Sequence, residues 1–469
     1  MPLKIYNTLS QEKENFQPIN PDKVKMYVCG ITPYDETHLG HGRAYVTFDI
    51  VRRYLEFSGF EVEYFQNVTD IDDKLIKKAQ DGGTTVESIA TSFMDSYKEV
   101  MEKLNVLPPK EYVKATDHIK EMIKWVEGLI AKGFAYEIDG DVYFEIDKFK
   151  DYGKLSKRKK EDLLSGARVA VDERKKSPLD FALWKAAKEG EPSWASPWGK
   201  GRPGWHIECS VMSTKYLGEQ FDIHGGGRDL IFPHHENEIA QTEAETCKVP
   251  WVKYWLHNGF VNINKQKMSK SLGNFFTLRD IFKQFDPMVV RLFFLSTHYR
   301  SPIDFSDGDL KEHSVAFRRL IASVMKMNRC LEFVNEGEID LSYLNQLREE
   351  FFCAMDDDFN TALALASLFS LLDFVDGVIS KKQATIQLLS EAKKTVDKFC
   401  NVLGLNIAAK PEPDDVKKSR EQRNIARSKK LFNEADEIRD RFSKKDIYFI
   451  DTPYTSGTST STTWFDPSL

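Results

Sequence analysis

Residues 23–45 read KVKMYVCGITPYDETHLGHGRAY, and the fold follows from how this stretch changes its period. From Lys23 to Cys29 the apolar residues first alternate and then run together, as in a strand that ends inside a sheet. Gly30 and Pro33 break the pattern. From about His41 to Phe57 the apolar residues recur at helical spacing, and Glu61–Asn67 is a strand again. Strand, turn, helix and strand make the βαβ unit of a parallel α/β sheet. Ligands of such sheets sit beyond the carboxyl ends of the strands. The residues after Cys29 and after Asn67 should therefore share one crevice.

Outward from this unit the texture changes. Residues 1–115 are expected to hold the first half of the sheet and 116–204 an insertion. Within the insertion Asp139–Phe149 has the pattern of hairpin strands, Lys154–Lys160 is a charged loop, and Ser193–Gly204 is rich in Pro, Gly and Trp. Residues 205–245 should return to the sheet as its second half, and 246–306 lead out of it. Residues 307–405 show the apolar spacing of a helix bundle. Asn406–Asp415 is a linker. Residues 416–469 carry a basic helix, a short strand at Ile447–Ile450 and a Ser/Thr/Gly-rich stretch, Tyr454–Trp464, expected to be a mobile loop. The expected fold class is α/β: a Rossmann-like parallel-sheet domain with an insertion, then an α-helical bundle and a small C-terminal mixed α/β domain.

The net charge of −6 excludes a uniformly basic coat but not a local patch for nucleic acid. Residues 416–445 hold eleven Lys or Arg against five Asp or Glu, though a solvated helix gives the same pattern. With 41% hydrophobic and 29% charged residues the composition is that of an ordinary globular protein. The first sixteen residues, MPLKIYNTLSQEKENF, have the pattern of neither a secretory signal nor a transit peptide. Ala362–Ile379, interrupted by Ser367, Ser370, Asp373 and Asp376, reads as too short and too polar for a membrane span. A cytoplasmic monomer with no membrane partner is the expectation. Six cysteines without a framework point to metal ligation or burial rather than disulfides.

Two short motifs suit a nucleoside triphosphate. In His38-Leu39-Gly40-His41 two histidines flank a glycine where a helix begins, and a helix N-terminus favours phosphate. Lys267-Met268-Ser269-Lys270-Ser271 places two mobile positive charges in one loop. Alone, either is a short pattern that a surface loop can match. No P-loop sequence is present. Together and in this order they resemble the signatures of the class I aminoacyl-tRNA synthetases, His-Ile-Gly-His and Lys-Met-Ser-Lys-Ser, with Leu39 in place of Ile.

Further blocks narrow the resemblance. Val28–Tyr45, Asn67–Ala79 (NVTDIDDKLIKKA), Ser177–Lys185 (SPLDFALWK), Gly204–Ser210 (GWHIECS) and Phe221–Gln241 (FDIHGGGRDLIFPHHENEIAQ) are similar to matching blocks of the cysteinyl-tRNA synthetases. So are Arg300–Ser306, Met355–Ala364 and the segment Ala426–Asp440. The resemblance spans nearly the whole chain. It implies ATP-dependent activation of L-cysteine, with Mg2+ accompanying ATP, and transfer to tRNA(Cys). Catalytic roles fall on His38, His41, Lys267 and Lys270, with Thr32 and Gly40 also at the ATP. Residues 416–469 would read the anticodon.

The resemblance also implies one Zn2+ per chain, held by Cys29, Cys209, His234 and Glu238. These are suitable zinc ligands, and His234 and Glu238, four apart, share a helical face that Pro233 would open. The residues alone do not select this set, because Cys29 and Cys209 lack close spacing and His235 is an equal candidate. Cys247, Cys330, Cys353 and Cys400 read as core or surface residues. Thr69, Trp205, His206 and Asp229 are expected at the substrate, Asp229 at its amino group. Gly225–Gly227 would let backbone approach a ligand. Arg228 is a bulky cation with two readings, phosphate contact or solvation. A cysteine ligase on the same core, acting on an amino sugar, would not need residues 416–469.

Overall fold

The computed structural model describes residues 2–159, 173–263, 266–267, 276–337, 340–407, 414–444, 448–452 and 461–465. Five parallel strands form the central sheet: β1 (Lys23–Ile31), β2 (Glu61–Val68), β3 (Glu111–Lys114), β4 (Phe221–Gly227) and β5 (Val252–Asn258). Their spatial order is β5-β4-β1-β2-β3. The chain first grows the sheet to one side of β1 and later returns to the other. That reversal places the ligand crevice at the end of β1. Val24, Met26, Tyr27 and Val28 are all fully buried, as expected of a central strand covered on both faces.

Helix α1 (Leu39–Phe57) connects β1 to β2, α2 (Trp205–Leu217) precedes β4, and α3 (Glu236–Thr246) connects β4 to β5. Two glycines allow this packing. A Cβ on Gly30 would lie 1.6 Å from the carbonyl oxygen of Asn67, and one on Gly225 would lie 2.2 Å from the Phe48 ring of α1. Gly225 therefore serves helix-to-strand packing, not the approach of a ligand. The guanidinium of Arg291, fully buried, pairs with Asp49 of α1 and donates to the carbonyls of Leu403 and Leu104, both at 2.8 Å.

Between β3 and β4 lies a separate antiparallel sheet of Ala135–Ile138, Asp141–Phe144, Phe181–Ala186, Gly199–Pro203 and Trp194–Ser196, in that spatial order. Its first hairpin turns at Asp139 and Gly140, with φ of 52° and 86°, as Asp-Gly favours. An N-terminal hairpin, Lys4–Asn7 with Glu12–Asn15, docks along β5. The Asn7 side chain accepts from Trp255 N–H at 3.0 Å and donates to the Lys253 carbonyl at 2.9 Å.

Helices α4 (Asp307–Leu331), α5 (Ser342–Asp356), α6 (Thr361–Ser380) and α7 (Ile386–Leu403) form the bundle. Contrary to the sequence expectation, α6 is long and apolar enough, by length and composition alone, to cross a membrane. Its apolarity has another outlet: Leu368, Leu371, Leu372 and Val375 are buried where α6 packs on α4, α5 and α7. At the C-terminal end, helices Asp414–Ser428 and Phe432–Ser443 accompany an antiparallel pair, Tyr448–Thr452 with Ser461–Phe465. The second strand corrects part of the expected loop. Its Thr-Thr-Trp-Phe run favours a strand once a partner is beside it. Residues 454–460 of that loop, and 408–413 of the linker, lie outside the described residues.

Candidate active site

A cavity of about 630 Å³ opens at the carboxyl ends of β1, β4 and β5. Thr32, His38, Gly40 and His41 line one side and Trp205 and Asp229 the other. The helix that carries the histidines starts at Leu39, two residues before the expected start. The reason is His38, whose Nδ1 accepts the backbone N–H groups of Gly40 (3.1 Å) and His41 (3.4 Å). Histidine is not among the favoured caps, so periodicity alone could not place it. An accepting Nδ1 puts the ring proton on Nε2. Burial pulls the His38 pKa down to about 4, so the ring is neutral at pH 7. The His41 ring stacks on it, centroids 3.7 Å apart, and burial followed by His38 holds its pKa well below the usual value.

Beside this turn, Cys29, Cys209, His234 and Glu238 converge, all buried. Cys29 Sγ lies 3.8 Å from Cys209 Sγ and 3.7 Å from Glu238 Oε1. His234 Nε2 lies 3.6 Å from Cys209 Sγ and 2.8 Å from Glu238 Oε1. A tetrahedral zinc ion with its usual bond lengths needs donors roughly 3.3–3.8 Å apart; the three separations that involve a sulfur meet this, and the His234–Glu238 pair, now at hydrogen-bond distance, would open by about half an ångström to admit the ion. Local structure explains the convergence. Cys29 ends the unbroken buried run of β1, Cys209 lies on α2, and Glu238 lies in the first turn of α3. The helix opens at Glu236, not at Pro233. Phe232, the residue before the proline, is extended (φ −140°, ψ 130°) and kinks the wide turn over Ile231–His235 that precedes the helix. His234 still lies 2.8 Å from Glu238.

The electrostatics suit a cation. Burial, then Cys209, raises the Cys29 pKa well above the usual thiol value. Burial also pushes Cys209 up, but hydrogen bonding to Cys29 and the charge and hydrogen bond of His234 outweigh it and bring the thiol to about 7. For His234 burial is overcome by Glu238, which lifts it to about 10. For Glu238 burial is overcome by His224 and His234, which hold the carboxyl well below its usual range.

A second set of donors, Cys29, His224, His235 and Glu238, overlaps the first. His235 Nε2 is 3.2 Å from Cys29 Sγ but 4.0 Å from Glu238 Oε1. Its Nδ1 meets His257 Nε2 at 2.8 Å, and His257 Nδ1 meets Thr8 Oγ1 at 2.8 Å. Sequence reasoning named His235 but missed His224, His257 and Thr8. The available signal was a histidine inside each of two otherwise apolar strands, DIHGG and WLHNG.

The remaining expected residues divide. The Trp205 ring, 40% exposed, stacks on His234 with centroids 4.0 Å apart. His206 Nδ1 is 2.9 Å from His234 Nδ1, so it backs the metal group rather than lining the cavity. The buried Thr69 hydroxyl donates to Glu208 at 2.7 Å and does not line the cavity either. Lys267 ends a short strand paired with Val261–Ile263, its Cα opposite Asn262. Lys270 lies outside the described residues.

Residues 15–315 match the family model for the tRNA synthetases class I (C) catalytic domain, and 350–408 match the DALR domain. The chain is 48% identical to the cysteine–tRNA ligase of Geotalea uraniireducens over 98% of this chain and all of that one. It is 50% identical to that of Heliobacterium modesticaldum, over 97% and 98%. Among solved structures it resembles a Mycobacterium tuberculosis methionyl-tRNA synthetase in complex with methionyl-adenylate. The TM-score there is 0.60 at 15% identity, over 81% of this chain and 89% of that one. It also resembles a leucyl-tRNA synthetase from Agrobacterium radiobacter, in a ternary complex with tRNA (TM-score 0.60, 12% identity, 96% and 91% covered). At such identities these two speak for the fold. With the full-length relatives they leave one assignment: this enzyme belongs to the cysteine–tRNA ligase family of class I aminoacyl-tRNA synthetases.

Proposed function

We propose that the enzyme activates L-cysteine with ATP in the 630 Å³ cavity and passes the cysteinyl group to the 3′ end of tRNA(Cys). The cysteine carboxylate attacks the α-phosphate, and pyrophosphate leaves with its Mg2+. His38 offers a neutral Nε2–H donor where charge builds on phosphate, and His41 supports its ring. Thr32 and Gly40 flank the nucleotide, and Lys267 and Lys270 add positive charge at the leaving group. Asp229 receives the ammonium group. Trp205 and His206 fix His234 from two sides, and Thr69 acts through Glu208.

Selection of cysteine over serine is the finer part of the proposal. The observation that carries it is the meeting of Cys29, Cys209, His234 and Glu238 at the cavity wall, with Cys29 itself part of the lining. Zinc, when bound there, supplies a soft positive centre that favours a thiolate over a hydroxyl. We assign 1–115 and 205–245 to the catalytic domain, 116–204 to the insertion, 246–306 to the Lys267–Ser271 loop and stem contact beyond the strand Val252–Asn258 that completes the catalytic sheet, 307–405 to the bundle and 416–469 to the anticodon, in a cytoplasmic monomer. Zinc quantitation combined with ATP–pyrophosphate exchange tests the reading. One zinc per chain and exchange with cysteine but not serine are expected. Equal exchange with both amino acids would refute sulfur-based selection.

A further inference from the structure

A second cavity, of about 540 Å³, lies beyond Asp229 and Phe260, which line both. Three segments distant in sequence build it. The N-terminal hairpin supplies Tyr6 and Thr8, the insertion supplies Ser156 and Arg158, and the loop after β4 supplies Arg228 and Phe232. The insertion is clamped in place. The buried Glu236 carboxylate accepts the backbone N–H of Gly153 at 3.0 Å and of Ser156 at 2.7 Å, while Lys157 Nζ donates to the Leu9 carbonyl at 2.6 Å.

The charge of this cavity is unbalanced. Of the three guanidinium groups lining it, Arg300 lies over the Tyr6 ring and pairs with Asp358 at 2.6 Å. Arg158 lies over the Phe232 ring at 5.1 Å. Among the described residues no carboxylate pairs with Arg158 or Arg228, and Asp229 is the one acidic side chain in the lining. The Ser156 hydroxyl is buried without a hydrogen-bond partner among them. His257, bonded to Thr8, is a neutral part of the lining: burial, then His224, brings its pKa down to about 3. Two unneutralised guanidinium forks with hydroxyl donors suit a phosphate.

Asp229 tells which phosphate. It stands between this cavity and the site where the amino acid is activated, so an anion held here lies one side chain from the acyl group. The acceptor strand of the tRNA must bring its terminal hydroxyl to that point, with a phosphodiester next to it. We propose that this second cavity holds a phosphodiester of the single-stranded 3′ end of the tRNA. The proposal rests on the reading of the enzyme as the ligase that charges that RNA.

The test is the double variant Arg158→Ala/Arg228→Ala, compared with Arg158→Lys/Arg228→Lys. Cysteine-dependent exchange should stay within about twofold of wild type, because activation needs no RNA. The kcat/KM for charging tRNA should fall at least about tenfold. The salt dependence of tRNA affinity should shrink by about one unit for each phosphate no longer engaged. The lysine variant should recover most of both. Removing the 3′-terminal nucleotide should weaken tRNA binding to wild type and leave binding to the alanine variant unchanged. Normal charging by the alanine variant, or a loss of exchange in step with charging, overturns the proposal. So does an inorganic-phosphate-induced rise in the wild-type thermal midpoint with no effect of the variant on charging, which marks a free-anion site. A wild type without cysteine-dependent exchange overturns the functional reading first, and this proposal with it.

Discussion

The Nδ1 of His38 accepts the backbone N–H of Gly40 at 3.1 Å, so one ring both starts the helix and lines the 630 Å³ cavity. Substitution separates the two roles. Asparagine caps a helix well but carries no imidazole N–H. His38→Asn should keep a near wild-type thermal midpoint while cysteine-dependent exchange falls about 10²–10³-fold, as for removal of one donor at a developing charge. His38→Ala should in addition lose about 1 kcal/mol of stability. Undiminished exchange in the asparagine variant would remove His38 from the chemistry.

Burial of the histidines sets a pH dependence. His38 titrates near 4 and His257 near 3, against an ordinary value of 6.5. As pH falls below 6.5, the unfolded chain takes up protons that these folded rings refuse. Their contribution to stability is therefore intact above pH 6.5 and is lost as pH falls toward 4. Urea unfolding from about pH 7.5 to about pH 5 should show wild type losing stability faster than His38→Asn. Parallel curves would mean that the ring titrates normally.

The two overlapping donor sets share Cys29 and Glu238 and differ in their histidines. The set with Cys209 offers two sulfurs, which zinc prefers. His234→Asn should therefore strip the metal, with content measured far below one per chain. His235→Asn should retain it, with at most the roughly 10–100-fold weaker affinity typical of removing a supporting partner. The reverse ranking would move the ion to the His224–His235 side.

Asp49 and Arg291 form a buried pair, both side chains fully inaccessible. Asp49→Ala leaves a guanidinium enclosed without its counter-charge. The expected loss is about 3–5 kcal/mol in chemical denaturation. A loss below about 1 kcal/mol, the range of an exposed pair, would mean that water reaches Arg291 when Asp49 is gone.

What was legible in the sequence was whatever periodicity controls. The βαβ unit, the helix bundle and the crevice beyond Cys29 follow from apolar spacing, because burial on one face or two writes itself into the chain. Less legible were features fixed by contacts distant in sequence. The N-terminal hairpin has the polar strand EKEN, which shows no alternation because its partner and β5 supply its order. Gly225 looked like a ligand-facing glycine, yet Phe48 fills the space beside it. Thr69 lay in the right block, but its hydroxyl faces Glu208. The choice between His234 and His235 depended on a family resemblance, since spacing allows either and only the three-dimensional meeting with Cys209 distinguishes them.

The meeting of Thr8 with His257, and of His257 with His235, has a practical corollary for anyone trimming this enzyme. The family model begins at residue 15, which makes the preceding residues look dispensable. Yet Thr8 is joined to a sulfur through two imidazoles: Thr8 to His257, His257 to His235, His235 to Cys29. A shortened amino terminus should announce itself not as a frayed end but as a modest loss of zinc affinity, no larger than that of His235→Asn.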